Sequence, residues 1–140
     1  MKDLKYLMSY SIAFMAFLGI SIGGFYNYLA VIYTFVFIPV LEVLVKRSDE
    51  KYTEQERANR LLDPFFDILL YLNIPIVFGI FFFSLDKLIL ATSIYDIIGI
   101  ILSASIVMAT NGINVGHELG HRRSLFARTC SKLLYLPCQY

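Results

Sequence analysis

Apolar residues in this chain fall into four long runs. They show neither the alternation of a half-buried sheet nor the single stripe of a soluble amphipathic helix. The runs lie near residues 6–22, 25–45, 65–85 and 88–111, each close to the length that carries an α-helix across a hydrocarbon core of roughly 30 Å. The pattern predicts an all-α fold, a polytopic membrane bundle with four transmembrane helices. Lys2 and Lys5 ahead of the first run imitate a signal peptide. No small-x-small cleavage site follows, and the run passes directly into a second one, so a retained helix is expected.

Punctuation along the chain sets the expected connections. Gly23-Gly24 is a natural turn that folds the first two spans into a hairpin. A charged connection covers 46–63, and within it Thr53 to Arg60 carries helix formers of mixed sign. That stretch is read as a solvated surface helix in preference to a docking surface for a soluble partner. Pro64 suits the first turn of the third span, Pro75 is expected to kink it, and Asp86-Lys87 is read as the turn to the fourth. Phe81-Phe82-Phe83 reads as lipid-facing bulk.

Composition agrees with the membrane reading. The 140 residues are 58% hydrophobic and only 16% charged, below the quarter that soluble domains typically carry. Net charge is +1, which gives no basic excess for nucleic acid. The distribution is more telling, because eleven of the twelve basic residues flank one side of the predicted spans and only Lys87 falls on the other. By the positive-inside rule the amino terminus and the end of the fourth span face the cytoplasm, with the bacterial inner membrane as the expected location. Cys130 and Cys138 form no Cys-x-x-Cys pair, fall on the reducing side, and are expected to be structural.

Polar residues single out the fourth span. At 100° per residue, Asp96, Ser103, Thr110, Asn114, His117 and His121 share a stripe, with Asn111 and Glu118 beside it. Polar groups in a bilayer are costly unless they face protein or water, so the stripe is expected to point into the bundle. Gly112, Gly116 and Gly120 lie opposite, a small-xxx-small face on which another helix can approach closely.

His117 and His121 are the only histidines, and their i,i+4 spacing places two imidazoles on one helix face, where both can ligate one metal centre. His117-Glu118-Leu119-Gly120-His121 also fits the zinc metalloprotease pattern, with Glu118 as general base. No histidine remains as a third ligand and no acidic residue follows Glu118. Zinc would therefore need Glu42, Asp67 or Asp96.

The wider string, Asn114-Val115-Gly116-His117-Glu118-Leu119-Gly120-His121-Arg122, resembles the first histidine box of the membrane alkane 1-monooxygenases, within the fatty acid desaturase-like family of integral-membrane di-iron hydroxylases and desaturases. Ile38-Pro39-Val40-Leu41-Glu42 is similar to the proline and acidic residue that the family carries in its second span. The hydrophobic layout matches over essentially the whole chain. The resemblance implies a six-helix enzyme that binds two iron ions almost entirely through histidines. It also implies terminal hydroxylation of alkanes with dioxygen, and electrons delivered by rubredoxin and rubredoxin reductase. Residue by residue it maps only His117 and His121, as iron ligands; Asn114 and Glu118 are candidates for hydrogen bonding around them. A substrate channel is expected between the helices, lined partly by the fourth-span stripe. The family's second and third boxes, each of His-x-x-His-His type, and its last two spans have no counterpart here. The expectation is an amino-terminal portion of a longer enzyme, inactive alone and behaving in isolation as a membrane-embedded helical scaffold. The runner-up is an intramembrane zinc protease.

Overall fold

The computed structural model describes residues 8–44 and 64–139. The connection over 46–63 and the expected surface helix at Thr53 to Arg60 lie outside the described residues. Among those described the chain is all helical: α1 (Ser9–Ile22), α2 (Gly24–Leu44), α3 (Pro64–Leu90), α4 (Ile94–Gly120) and α5 (Leu125–Tyr135). Helices α2, α3 and α4 are long and apolar enough to cross a membrane. The described part of α1 is 14 residues, about 21 Å of rise and short of the hydrocarbon core. Three of the four expected spans therefore reach spanning length here. Phe14, Phe35, Val43 and Ile89 stand exposed on the outside of the bundle, an apolar surface that suits lipid and is foreign to a soluble monomer.

The hairpin between α1 and α2 forms where the glycine pair places it. Gly23 and Gly24 adopt φ of 82° and 60°, the left-handed region that side chains resist. Gly19 lets α2 return closely, since a Cβ there would fall 2.3 Å from the Tyr26 carbonyl oxygen.

The connection between α3 and α4 departs from expectation. Asp86 and Lys87 are helical, α3 continues to Leu90, and the turn is Ala91 to Ser93. The Ser93 hydroxyl accepts from the Tyr95 N–H at 3.3 Å, capping α4, while Lys87 in the last turn of α3 complements that helix's negative end. The helix runs on past the charged pair, and the next one starts at the Ser93 cap. Pro75 lies within the unbroken α3.

Two turns of α2 and α4 are wider than α-helix. Tyr33–Phe37 and Met108–Ile113 are π-helical, bonded i→i+5. The core between the helices is built from small and branched residues. One cluster joins Ala13, Ala16, Ala30, Ile80 and Val107, and a second joins Val77, Leu119, Ala127, Cys130 and Leu134. The second cluster seats α5 against the final turns of α4.

Candidate functional site

The glycine face of α4 packs as its spacing predicts, and its partner is α5. A Cβ at Gly112 would fall 2.8 Å from Cys138 Sγ, one at Gly116 2.6 Å from the Tyr135 ring, and one at Gly120 3.2 Å from Ser131 Oγ. Ser131 Oγ donates to the Gly116 carbonyl at 2.7 Å. Helix α5 thus runs back along α4, and burial pushes the Cys138 thiol above its usual pKa.

The opposite stripe behaves as expected only in its first half. Ser103 is fully buried and donates to the Asn27 carbonyl at 2.5 Å. Asp96 is half-buried and accepts from Asn27 Nδ2 at 2.8 Å. The Thr110 hydroxyl lies 2.8 Å from the Ile106 carbonyl and 2.9 Å from Asn111 Oδ1, two acceptors for one proton. Asn114, His117, Glu118 and His121 are exposed. This corrects the expectation that the two histidines point into the bundle. The π turn at Met108–Ile113 advances less per residue than an α turn, delaying the inward face by about one residue. The buried positions run Ser103, Val107, Asn111, Gly116, Leu119, and an ideal wheel would instead continue through Asn114 and His117.

Contacts from α4 itself and from α5 hold the histidine segment. The His121 N–H donates to the His117 carbonyl at 3.2 Å, so the two residues keep their one-turn spacing although α4 ends at Gly120 and His121 is its cap. The His117 ring meets the Tyr135 ring edge-on, centroids 5.7 Å apart. Beyond the motif, Arg122 Nη1 donates to Asp67 Oδ1 in the first turn of α3. Sequence reasoning did not assign that pair.

A buried amide pair fixes the π turn. Asn111 Nδ2 donates to Asn73 Oδ1 at 2.8 Å and to the Ser9 carbonyl at 3.3 Å. Asn73 Nδ2 in turn donates to the carbonyls of Leu69 and Leu70 at 2.9 and 3.3 Å, and Tyr10 OH donates to the same Leu69 carbonyl. On the other side of the turn, Cys138 Sγ lies 3.5 Å from the Met108 carbonyl. Asn73, a lone amide in an apolar span, was the available signal for this network.

As a metal centre the donor set is partial. Among the described residues no group of three or more His, Cys, Asp or Glu side chains is placed to hold a metal ion. Of the three upstream carboxylates, Asp67 is taken by Arg122, and Asp96 lies about 37 Å of helix rise from His121. Glu42 is exposed near the end of α2. His117 and His121 alone do not complete an iron pair or a zinc site. Ser103 and Thr110 are tied up in helix contacts, contrary to the expectation that they line a channel. Apolar cavities of about 380 and 550 Å³ lie instead beside α1, one against Pro75 and Gly79 of α3, the other against Tyr33, Leu41 and Glu42 of α2.

No family model matches the chain, and a search of curated proteins finds no match.

Proposed function

We propose that this chain supplies the first histidine pair of a membrane alkane hydroxylase, with His117 and His121 as iron ligands and the remaining ligands contributed by polypeptide beyond these residues. The observation that carries the reading is the pair itself. The chain's only two imidazoles stand one turn apart on the final turn and cap of a spanning helix, inside the string Asn-x-Gly-His-Glu-Leu-Gly-His-Arg. Their exposure supports it, since a ligand pair that awaits further donors must be open to them. The length of α4, about 40 Å, carries its last turns past a roughly 30 Å core, to the end where Arg122, Arg123, Arg128 and Lys132 gather. By the basic asymmetry that end is cytoplasmic and the membrane is the bacterial inner membrane, where a soluble electron donor such as rubredoxin with its reductase has access.

The reaction is insertion of one oxygen atom of dioxygen into a terminal C–H bond, the other leaving as water, with two electrons and two protons consumed. Two bound irons would supply the oxygen chemistry in the complete enzyme. Within this chain, Arg122 on Asp67 and Tyr135 against His117 orient the histidine segment, and Asn114 and Glu118 would hydrogen-bond around it.

Metal analysis and product assay test the reading together. The complete enzyme should bind two irons and form 1-alkanol, and His117→Ala or His121→Ala should abolish both while membrane insertion persists. Glu118→Gln should keep the irons. A protein that binds one zinc, never iron, and loses a proteolytic activity in Glu118→Gln would be the intramembrane protease instead. Ser48→Cys labelled only from the cytoplasm and Asp86→Cys only from the periplasm would establish the orientation, and the reverse pattern would overturn it.

A further inference from the structure

Helix α5 carries more surface than the bundle uses. At 100° per residue, Ala127, Cys130 and Leu134 form the buried stripe that packs on α3 and α4. Phe126 and Leu133 lie on one flank of that stripe and stay 64% and 39% exposed. Arg128 and Lys132 lie on the other flank, both exposed. Among the described residues neither cation forms an ion pair, and no acidic residue follows Glu118 in the sequence to offset them. Their i,i+4 spacing sets the two Cβ atoms about 6 Å apart, close enough for both charged heads to reach one phosphate.

Contacts fix the depth of this helix. The Phe126 ring meets Tyr71, near the start of α3, edge-on with centroids 5.2 Å apart. Ser131 lies against Gly120 and Tyr135 against Gly116, in the last turns of α4. A helix of about 40 Å centred on a roughly 30 Å core overshoots it by about 5 Å at each end, which sets the hydrocarbon boundary between Gly116 and Gly120. Helix α5 therefore lies at that boundary. Tyr71 stands one turn further into the span than Asp67, so the flank of Phe126 and Leu133 faces the hydrocarbon and the flank of Arg128 and Lys132 turns away from it.

We infer that α5 is an interfacial helix that binds anionic phospholipid of the leaflet at the histidine end, with Phe126 and Leu133 among the upper acyl carbons and Arg128 and Lys132 on the phosphate. An apolar flank beside a basic one holds a helix in an anionic interface. An acidic soluble protein would match the two cations and leave Phe126 and Leu133 in water. A second copy of the chain would bring the same positive charge against itself, and a zwitterionic headgroup offers no net charge for the pair to meet. The inference rests on the membrane reading and is independent of the metal and of the hydroxylase reading.

The chain has no tryptophan, so Leu133→Trp introduces a single reporter. In nanodiscs, bromines on the upper acyl carbons should quench it more than bromines near the chain ends. Native mass spectrometry of the unaltered chain, with phosphatidylglycerol and phosphatidylcholine of identical acyl chains, should show phosphatidylglycerol preferred by about fivefold for each of the two basic residues. Arg128→Gln with Lys132→Gln should remove that preference, whereas Arg128→Lys with Lys132→Arg, which exchanges the cations and keeps the charge, should preserve it. Both side chains are exposed, so neither pair of changes disturbs the core. A tryptophan quenched by neither bromolipid would put α5 in water and leave its face to a protein partner. A lipid preference unmoved by the double glutamine variant would put the anionic lipid elsewhere on the chain. Either result overturns the proposal.

Discussion

Asn111 of α4 donates through Nδ2 to Asn73 Oδ1 of α3 at 2.8 Å, and both side chains are buried, at 1% and 4% exposure. Each amide spends its two protons on protein acceptors, so the pair is satisfied where water is scarce. Replacing either by leucine strands the other, and the expected loss is about 1–2 kcal/mol. The double substitution should recover part of it. Unfolding of the four variants in bicelles measures the coupling; strictly additive losses would show that the contact contributes nothing of its own.

Deleting Ala109 should convert the π turn at Met108–Ile113 into regular α-helix. Losing one residue takes away about the 100° by which the π turn lags, so the segment beyond should keep its facing, with His117 at Tyr135 and Gly116 at the α5 face. Spin labels at Leu72 of α3 and Glu118 of α4 should report a nearly unchanged separation. A large change would mean that the π turn does not set the phase of the segment.

Glycines of α1 and α3 should differ sharply when changed to alanine. Gly19→Ala places a methyl 2.3 Å from a backbone oxygen of α2, which cannot swing aside, whereas Gly79→Ala meets nothing within 4 Å. Overpacking at Gly19 is expected to cost about 1–3 kcal/mol, and Gly79→Ala should be neutral or stabilising in its helix. Thermal unfolding in one detergent ranks them. Equal midpoints would contradict the close α1–α2 approach.

Cys138 should alkylate slowly at neutral pH, because burial raises its pKa and holds it as the thiol. A folded-state pKa above the unfolded one means that its contribution to stability is complete below the ordinary thiol pKa. That contribution fades as pH rises through the raised value. Iodoacetamide labelling against pH should therefore turn on later for Cys138 than for an unstructured cysteine. Labelling at the ordinary thiol pH would show that α5 does not seal it against α4.

Helices and a bilayer are written into the amino-acid order itself. Runs of apolar residues of spanning length declare both, because burying unpaired backbone in hydrocarbon leaves the chain few other choices. Gly23-Gly24 announces its turn through backbone freedom, and Gly112, Gly116 and Gly120 announce a close helix through missing side chains. The paired histidines are visible as a motif, since i,i+4 spacing is a property of the chain alone.

What tertiary structure decided was phase and partnership. The polar stripe follows an ideal wheel, and the π turn beside Asn73 shifts it, keeping Ser103 inside while leaving His117 and His121 exposed. A π turn arises where contacts on both sides, here Asn73 and Cys138, outweigh one α-helical bond, and no local pattern records that balance. The end of α3 moves from Asp86-Lys87 to Leu90 because a charged residue is tolerated in a helix's last turn, and the break falls instead at Ala91 to Ser93, where Ser93 caps the start of α4. Arg122 meeting Asp67 and Asn27 meeting Asp96 join residues far apart in the chain, so only the packing of helices brings those charges and amides together.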